Sequence, residues 1–476
     1  MAPDKEDLII MKFGGTCLQD SKSFEQTSKI IRNYLNQSKL LIVSSAMKGI
    51  TDKLIDFYTT SCAESSECEQ IITEINITHS KLINQIISSE KEEYIKSIEF
   101  LRKNIEELRQ LGRVIQLIRP SLDIQDLIIS YGEKLSTYIL TQYLNSIGIK
   151  TKFISSQDLI ITDDNFGNAL PLLGDSELLV NDKLVPLLND ESNRIICVTG
   201  FFGATKKDKK ITTLGRGGSD LTAAILAYSL KPSFNCRVIY WKDVKGLLDA
   251  DPKISEKTSL LKQISYIEAK ELAFFGTKVL HPLCLDVSEK GGIPSEIKSF
   301  IDPGSKEFTT ITKEIVKDGK IIKAITSIYK LSMVTVESDT MVPLPGTASK
   351  IFSLLGDNNV NIIFISQSSS ENNITFGIDF EDSMKVSFLL RNSKLFGKKW
   401  FRVKINNEIS LVAVIGAGVL HTPGIAGKVF TTLGNNNINI LAIAQGSSEL
   451  NFTAIIERKN CKKAINILYE AFITQA

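Results

Sequence analysis

The last third of this 476-residue chain contains an internal repeat. Pro345–Phe352 realigns on Pro423–Phe430, and Ile365–Glu371 realigns on Ile443–Glu449. Both matches have the same offset of 78 residues, so no gap separates them within a copy. The order strand, Pro-Gly turn, helix, Asn-rich turn, strand, turn, strand and helix predicts a βαββαβ, ferredoxin-like unit for each copy. Because two such units tend to pair their sheets and leave a groove, the duplication favours an effector-binding site.

The amino-terminal segment alternates between strand and helix patterns. Leu8–Phe13 and Leu40–Val43 are short apolar strands, and Ser21–Leu35 carries apolar residues at helical spacing. This order predicts the start of a parallel, doubly wound sheet. Lys12 lies at the carboxyl end of the first strand, where open α/β sheets bind ligands, and glycines follow it. The alternative is that Lys12 is an ordinary solvent-exposed residue at a strand end.

A glycine-rich stretch, Thr212–Asp220, lies between the β-rich run Ile195–Phe202 and the Ala/Leu-rich helical run Leu221–Leu230. Glycines at a strand-to-helix junction let backbone N–H groups approach an anion, and the following helix N-terminus adds a favourable dipole. The stretch therefore predicts an anion site, with a plain tight loop as the alternative.

The region between the second strand and the glycine-rich stretch is largely helical by pattern. From about Thr51 to Asp126 the sequence is polar and charged and predicts amphipathic helices. Thr51 is expected to cap the first of them. Gly132 is expected to interrupt the helical stretch that follows, and an exposed helix carboxylate is one interpretation of Glu133.

Composition narrows the class of protein. A content of 43% hydrophobic and 23% charged residues is typical of globular chains, and the length predicts two to four domains. The net charge of +2 argues against a nucleic-acid partner. Seven scattered cysteines predict neither a disulfide framework nor a zinc site and fit a reducing compartment. The acidic start is unlike a signal peptide, and no apolar run reaches about 18 residues, so we expect a cytoplasmic protein without membrane contact.

Several motifs, taken in order, resemble those of the aspartokinases. They are Lys12–Thr16, Thr199–Phe201, Thr213–Asp220, Asp243–Val244, Asp251–Pro252 and Phe275–Pro282. The resemblance covers nearly the whole chain. It implies an α/β amino-acid-kinase fold, a three-layer αβα arrangement around a mostly parallel sheet, followed by two α+β ferredoxin-like ACT domains. The expected boundaries are 1–310 for the catalytic domain, 311–405 for a linker with the first ACT repeat, and 406–476 for the second.

The resemblance also implies a reaction. The γ-phosphoryl group of Mg·ATP would pass to the β-carboxylate of L-aspartate and give 4-phospho-L-aspartate, the first step of lysine, threonine and methionine biosynthesis. A carboxylate with a pKa of about 4 is already ionised at neutral pH, so no general base is required. Catalysis then depends on positioning and on cations that neutralise the spreading charge. No Walker A pattern or protein-kinase catalytic loop occurs in the sequence, so the ATP site is of another type.

Site residues follow from the resemblance position by position. The implied catalytic residues are Lys12, Asp220 and Lys278. The implied substrate-binding residues are Thr51, Glu133, Phe201, Arg216, Gly217, Gly218 and Ser219. The implied nucleotide-binding residues are Gly14, Gly15, Lys242, Asp243, Leu248, Lys253, Lys278 and Val279. The implied effector-binding residues are Met341, Gly346, Thr347, Ala348, Asn361, Ile362, Gln367 and Gln445. No protein ligand to Mg²⁺ is assigned.

Three of these residues have defined implied roles. Glu133 would face the aspartate ammonium group, and Arg216 would grip the α-carboxylate with its bidentate fork. Asp220 would orient the cationic groups around the phosphates.

Some positions depart from the commonest family pattern. Cys17 replaces the usual serine, and Lys242 stands where many members have threonine. Leu248 stands where a tyrosine often packs near the nucleotide, and Lys253 where an arginine is common. These departures bear on details of nucleotide recognition.

The regulatory repeats suggest which amino acid acts as effector. Val360–Ile363 lacks the aspartate typical of several lysine-inhibited members, and the repeats look most like those of threonine-regulated ones, so threonine is favoured over lysine. No homoserine dehydrogenase module follows Ala476, so the expectation is a monofunctional enzyme. Paired ACT domains imply a homodimer or homotetramer.

Two other functions compete with this interpretation. One is another amino-acid kinase, acting on glutamate or acetylglutamate; the tandem repeats and the glycine-rich motif argue against it. The other is a catalytically silent amino-acid sensor. Such a protein would be expected to lack Lys12, Arg216 or Asp220, and all three are present.

Overall fold

The structure is a computed structural model that divides into two compact units. It describes residues 5–63, 67–117, 120–190, 194–255, 257–275, 279–315, 320–338, 346–367, 373–393, 401–419, 422–445 and 450–474. The first unit spans residues 1–247, 262–266 and 278–314, and the second spans 248–261, 267–277 and 315–476. Two short segments from the middle of the sequence are therefore built into the second unit.

The first unit alternates strands and helices. Its strands are β1 (Asp7–Phe13), β2 (Lys39–Ser44), β3 (Thr151–Ile154), β4 (Ile161–Thr162), β5 (Ile195–Thr199), β6 (Phe202–Thr205), β7 (Ile211–Thr213), β8 (Asn235–Lys242), β9 (Gln263–Ser265), β10 (Ser295–Ser299) and β11 (Thr309–Thr312). The helices over the same part of the chain are α1 (Ser21–Tyr34), α2 (Ile50–Cys62), α3 (Glu67–Ile86), α4 (Glu92–Leu117), α5 (Leu122–Ser146), α6 (Leu173–Asn189), α7 (Gly218–Leu230), α8 (Tyr266–Phe274) and α9 (Pro282–Gly291). From Ile267 onward α8 belongs to the second unit.

The main sheet of the first unit has the strand order β3-β5-β2-β1-β8-β10-β11-β9. Every neighbouring pair is parallel except β10 with β11. Residues 8–13 of β1 are all buried, as expected for a central parallel strand covered on both faces. The predicted mostly parallel sheet is confirmed. The strand order reverses between β1 and β8, so ligands are expected outside the carboxyl ends of these two strands.

Two local predictions in the helical region are wrong. Gly49, in the left-handed conformation with φ of 80°, is the N-cap of α2, and Thr51 lies within the first turn instead of capping it. Gly132 does not interrupt α5, which is continuous from Leu122 to Ser146. A Cβ on Gly132 would lie 2.9 Å from the Ala46 side chain, so this glycine lets α5 approach the loop after β2.

The strand that leads into the glycine-rich stretch is not the one expected from the sequence. The run Ile195–Phe202 contains β5 and the first residue of β6, and β6 pairs with β7 in the small sheet β4-β6-β7. Thr212 and Thr213 end β7, and Gly218–Asp220 already form the first turn of α7. The loop itself is thus reduced to residues 214–217, held between a hairpin strand and a buried helix.

The second unit contains a six-stranded antiparallel sheet. Its elements are β12 (Ala324–Ser338), α10 (Thr347–Gly356), β13 (Ile362–Gln367), β14 (Asn373–Asp379), α11 (Ser383–Asn392), β15 (Phe401–Ile415), α12 (Ile425–Asn435), β16 (Ile440–Ala444), β17 (Asn451–Glu457) and α13 (Cys461–Tyr469). The strand order is β13-β14-β12-β15-β17-β16, with all pairs antiparallel. Two ferredoxin-like arrangements share the long strands β12 and β15.

The repeat is visible in the backbone as well as in the sequence. Gly346 and Gly424 have φ of 84° and 91°, and Asn359 and Asn437 have φ of 54° and 57°, each pair 78 residues apart. The second copy, however, takes its last strand from a segment outside its own stretch of sequence. Its last strand is Ala324–Ile328, which precedes the first copy and pairs with the end of β15. β15 also runs through residues 405 and 406, where the two repeats were expected to divide.

The segment that follows Leu247 packs inside the second unit. Tyr469 donates a hydrogen bond to Asp249 Oδ2 (3.0 Å), and the Ile325 N–H donates to the Asp249 carbonyl (2.8 Å). Ala250 belongs to the apolar core of the second copy, with Val412 and other side chains of that copy.

Across the described ranges, every helix is either too short or too polar to cross a membrane.

Candidate active site

The centre of the site is a buried ion-pair cluster at the carboxyl ends of β1 and β8. Lys12 Nζ lies 2.7 Å from Asp220 Oδ1, and Lys242 Nζ lies 2.6 Å from Asp220 Oδ2. The three side chains are only 7%, 17% and 5% exposed for Lys12, Lys242 and Asp220, respectively. Because β1 and β8 are parallel neighbours and α7 begins above them, three residues distant in sequence converge at the switch point. The cluster carries two cations and one anion, so it attracts an anionic ligand.

Burial and charge act in opposite directions on this cluster. Burial alone would raise the pKa of the Asp220 carboxyl, but the Lys12 and Lys242 ammonium groups lower it below its ordinary value. The pKa of Lys12 is lowered, first by burial and then by Lys242, against the opposing effect of Asp220. The carboxylate therefore stays ionised and holds both ammonium groups in place. A ligand phosphoryl group would meet cations that are already positioned.

Gly14 leaves room beside Lys12, and Gly15 leaves room for the loop that contains Ala46. The Lys12 ammonium lies 3.4 Å from the position that a Gly14 Cβ would occupy, and a Gly15 Cβ would lie 3.2 Å from the Ala46 carbonyl oxygen. Cys17, which replaces the usual serine, is buried, and burial raises the pKa of its thiol to about 11. The thiol is thus a small neutral group beside the cluster.

Glu133 is a buried carboxylate with an unsatisfied oxygen. It is 3% exposed, and its Oε2 has no hydrogen-bond partner among the described residues. Burial raises its pKa to about 8, against the opposing effects of the Ala46 backbone N–H and the Lys12 charge. A buried polar atom without a partner is costly, so a cationic or hydrogen-bonding ligand group at this position would be stabilising. The alternative of an exposed helix carboxylate is wrong.

Phe201 has a strained backbone beside the site. Its φ is 77°, which is rare for a bulky residue and costs on the order of 1–3 kcal/mol. The Phe201 N–H donates to Thr222 Oγ1 (3.1 Å), and its carbonyl accepts from the Leu214 N–H (2.8 Å). Next to it, a Gly200 Cβ would lie 2.6 Å from the Ser219 Cβ. The end of β5 is therefore pressed against the first turn of α7.

The loop 214–217 holds its arginine between two fixed glycines. Gly215 and Gly217 have φ of 69° and 76°. A Cβ on Gly217 would lie 2.7 Å from the His281 Cβ, and the His281 ring caps α9 by accepting from the Leu283 N–H (3.3 Å). Arg216 between them has an exposed side chain, available to a ligand. Gly218 and Ser219 are buried in the first turn of α7.

The remaining expected site residues have varied positions. Thr51 is half-buried in the first turn of α2, Asp243 is exposed just after β8, and Val279 is half-buried. Leu248 and Lys253 belong to the second unit, half-buried and exposed, respectively. Lys278 lies outside the described residues.

The expected effector residues lie mainly in the first copy, and only Gln367 and Gln445 form a pair at equivalent places of the two copies. Gly346 is the N-cap of α10, and Thr347 and Ala348 are in its first turn. Ile362 and Gln367 are the first and last residues of β13, with Asn361 just before it. Gln445 follows β16, and both glutamines are exposed. Met341 lies outside the described residues.

The site includes residues that motif reading alone does not indicate as ligand contacts. Among the residues that the structure describes, no group of three or more His, Cys, Asp or Glu side chains is arranged to hold a metal ion. His281 is a packed residue that fixes Gly217 beside Arg216. Asp126, two helical turns before Glu133, binds the segment that leads into the loop.

The fold and this site together define an α/β protein with a buried cationic cluster at the switch point of a mostly parallel sheet. Residues 7–299 match the model of the amino acid kinase family, and residues 334–391 and 412–472 match an ACT domain model. The chain belongs to the amino acid kinase family. The resemblance to the aspartokinases and the expected fold are both confirmed.

Individual relatives are aspartokinases by name. The chain is 31% identical to the bifunctional aspartokinase/homoserine dehydrogenase of Buchnera aphidicola, over 96% of this chain and 55% of that protein. It is 28% identical to the chloroplastic aspartokinase 2 of Arabidopsis thaliana, over 98% of this chain and 85% of that protein. The chain spans about half the length of several of the curated relatives that it matches, which are bifunctional.

Solved structures give the same answer for the fold. Aspartokinase III of E. coli in complex with aspartate and ADP matches with a TM-score of 0.79 and 25% identity, over 98% of this chain and 99% of that one. The Clostridium acetobutylicum aspartate kinase matches with a TM-score of 0.75 and 26% identity, over 98% of this chain and all (100%) of that one.

Proposed function

We propose that this chain is an aspartate kinase, which transfers the γ-phosphoryl group of ATP to the β-carboxylate of L-aspartate and produces 4-phospho-L-aspartate. The observation that carries the proposal is the juxtaposition of two buried lysines with an unsatisfied buried carboxylate, Glu133. The lysines suit a phosphoryl group, and the carboxylate suits an ammonium group. Family membership and the names of the relatives support the same activity, in the first step of lysine, threonine and methionine biosynthesis.

Lys12 and Lys242 would stabilise the negative charge of the phosphoryl group while it is transferred. Phosphoryl transfer spreads negative charge over the equatorial oxygens, and fixed cations in a buried site stabilise that charge without reorganisation. Asp220 keeps both ammonium groups pointed at the same place, so its role is to orient them. The substrate carboxylate is ionised at neutral pH and attacks without a general base. We propose the same kind of contact for Lys278.

Arg216 and Glu133 would bind the two ends of the amino acid. Arg216 would take the α-carboxylate through its planar fork, and Glu133 would take the ammonium group. Thr51, Phe201 and the first turn of α7 would complete the aspartate site. Mg²⁺ would enter as part of the substrate Mg·ATP, carried on the phosphates, where it would neutralise their charge.

The remaining nucleotide contacts are proposed by position. Gly14 and Gly15 would supply backbone N–H groups near the phosphates. The other proposed contacts are Asp243, Leu248, Lys253 and Val279.

Aspartate-dependent hydroxamate formation in the presence of Mg·ATP tests the activity directly. We expect product with aspartate and none with glutamate. Product with glutamate alone would favour another amino-acid kinase, and absence of product with either, together with effector binding, would favour a silent sensor. Arg216→Ala is expected to raise the aspartate KM at least tenfold with a small change in kcat, and Lys12→Ala is expected to lower kcat at least a hundredfold.

A regulatory role is proposed for the ACT repeats, with threonine as inhibitor in preference to lysine. Gln367 and Gln445 are exposed at equivalent ends of β13 and β16, the two outer strands of the sheet. Gln367→Ala and Gln445→Ala are expected to weaken inhibition without loss of catalysis, and Gln37→Ala in the first unit is the control. Equal inhibition of all three variants and the wild type would remove these residues from the effector site. Aspartokinase III of E. coli has been solved with lysine, so an inhibition panel must include both amino acids.

We also propose that the enzyme is a cytoplasmic homodimer or homotetramer assembled through the ACT domains. Ile365 and Ile443 occupy equivalent positions on the outer strands and are 51% and 44% exposed, which suits burial against another copy. All seven cysteines are free, in keeping with a reducing compartment. Light scattering on the purified chain would measure its mass, and a monomeric mass at micromolar concentration would contradict the assembly.

A further inference from the structure

Three segments of the first unit converge on one buried carboxylate, that of Asp126. Its Oδ2 accepts hydrogen bonds from the Gly167 N–H (2.8 Å) and the Thr213 N–H (2.8 Å), and its Oδ1 accepts from Thr213 Oγ1 (2.7 Å). The residue is 1% exposed. Both oxygens are thus used within the protein, so Asp126 is not available to a ligand, and its three bonds tie α5 to two other segments.

Both of those segments lead to the loop that carries Arg216. Thr213 is the last residue of β7 and lies three residues before Arg216. Gly167 precedes Asn168, whose Oδ1 lies against the position that a Gly215 Cβ would occupy. The two segments also bind each other, because the Ala169 N–H donates to the Thr213 carbonyl (2.9 Å). Asp126 therefore holds the start of the loop directly and its first glycine indirectly.

Asp126 and Glu133 lie on the same continuous helix, α5. A separation of seven residues corresponds to nearly two full turns, which puts both side chains on one face about 10 Å apart along the axis. One end of this face carries the carboxylate proposed to bind the substrate ammonium, and the other end fixes the loop proposed to bind the substrate α-carboxylate. A rigid helix thereby connects the two halves of the amino-acid site.

We propose that Asp126 is a positioning residue that sets Arg216 at its working distance from Glu133 and so determines the affinity for the amino-acid substrate. The inference depends on the proposed function, since it assigns Arg216 and Glu133 to one substrate. Asp126 does not touch the substrate itself. Its removal acts through the loop, so its effect is confined to the step in which the amino acid binds.

Asp126→Asn is the direct test in the full-length protein. The neutral amide loses the charge-assisted strength of all three bonds, and its N–H₂ donor faces either Thr213 Oγ1 or the two backbone N–H groups that shared Oδ2. We expect the aspartate KM to rise at least fivefold, with kcat and the ATP KM within twofold of wild type. Asp123→Asn is the matched control, because Asp123 lies one turn earlier on α5 and makes an ion pair with Lys210 (2.7 Å) at the surface. It is expected to leave the aspartate KM unchanged.

A second variant and a double mutant separate positioning from general damage. Thr213→Val removes only the hydroxyl bond to Oδ1 and keeps the side-chain volume, so it remains informative if Asp126→Asn does not fold. It is expected to raise the aspartate KM at least twofold. In an Arg216→Ala background, Asp126→Asn is expected to add less than twofold, because a residue that acts through Arg216 has no effect once Arg216 is gone.

The outcomes distinguish this inference from the proposed function. If the wild type makes no acyl phosphate from aspartate, the proposed function fails first. If the wild type is active and Thr213→Val and Asp126→Asn leave the aspartate KM unchanged, or lower kcat and raise the ATP KM equally, the positioning role is refuted. Full additivity of Asp126→Asn with Arg216→Ala would also refute it.

Discussion

Replacement of Asp220 by asparagine is expected to destabilise the protein strongly at neutral pH, in a way that high pH reverses. The change removes the only carboxylate within ion-pair distance of Lys12 and Lys242 among the described residues, at 2.7 and 2.6 Å, and leaves two buried ammonium groups facing each other's charge. Removal of one partner from a buried ion pair typically costs about 3–5 kcal/mol. The asparagine side chain has nearly the same shape, so the loss is one of charge and not of packing.

The lysine side chains set an upper limit on this cost. A lysine with an ordinary pKa near 10.4 can release its proton at pH 7 for about 5 kcal/mol, because each pKa unit corresponds to 1.36 kcal/mol. At pH 9 the same release costs only about 2 kcal/mol. Asp220→Asn is therefore expected to lower the free energy of unfolding by about 3–5 kcal/mol at pH 7 and by at most about 2 kcal/mol at pH 9.

Thermal unfolding at the two pH values measures this difference. A loss of about 3 kcal/mol corresponds to a fall of about 5 °C in Tm for a unit of this size. Asp175→Asn is the matched control, because it breaks an ion pair of similar length with Lys206 (2.8 Å) in which the side chains are 33% and 66% exposed. Exposed pairs contribute about 0–1 kcal/mol. A Tm deficit for Asp220→Asn no larger than that of the control, or one that persists unchanged at pH 9, would refute the account of the cluster.

Three further predictions concern single residues. The pKa of Glu133 is raised to about 8, so its carboxyl group ionises as the pH rises through that value. The aspartate KM measured by steady-state kinetics should therefore fall about 20-fold between pH 6.5 and 8.5. Glu133→Gln should show no such fall. His79 is buried with its pKa lowered to about 4, so the unfolded chain binds more protons below pH 6.5, and about 2 kcal/mol of unfolding free energy is lost between pH 7 and 5. Urea titrations of His79→Leu should lack this loss; equal acid sensitivity would contradict it. Gly217→Ala combines φ of 76° with a 2.7 Å approach to the His281 Cβ, so it should raise the aspartate KM at least fivefold, whereas Gly174→Ala, which meets nothing within 4 Å, should not.

The parts of the fold that depend on short-range patterns could be predicted from the sequence. Lys12 follows an apolar strand directly, so its place at the carboxyl edge needs only the local pattern and the rule for open α/β sheets. The repeat offset of 78 residues likewise predicted two similar units, and similar backbone angles recur at equivalent positions. The resemblance to a family added Asp220 and Lys242, which lie 22 residues apart and meet only in the folded state.

Other features could not be predicted because long-range contacts determine them. Gly132 has the local pattern of a helix breaker, but the loop after β2 packs so closely that only glycine fits there, and the helix continues. The closing strand of the second repeat comes from Ala324–Ile328, far earlier in the sequence, so no local pattern indicates it. The local pattern also allowed an exposed Glu133, for the same reason. Its burial depends on the Ala46 loop, which lies far away along the chain.

Two places in the protein lack a partner of opposite charge. The cluster at Asp220 lacks an anion, and the buried oxygen of Glu133 lacks a cation or a hydrogen-bond donor. The cluster has one cation more than its carboxylate balances, and Glu133 is a buried carboxyl whose burial opposes ionisation. Movement of Glu133 towards the lysines would not satisfy both places, because Glu133 is too weakly ionised near neutral pH to neutralise the surplus cation fully. A ligand with an ammonium group at one end and a carboxylate acquiring a phosphoryl group at the other satisfies both at once. In the proposed aspartate kinase, the stability lost at these two places would be recovered as binding energy for one ligand, which is the arrangement expected of a preorganised site for phosphoryl transfer to an amino acid.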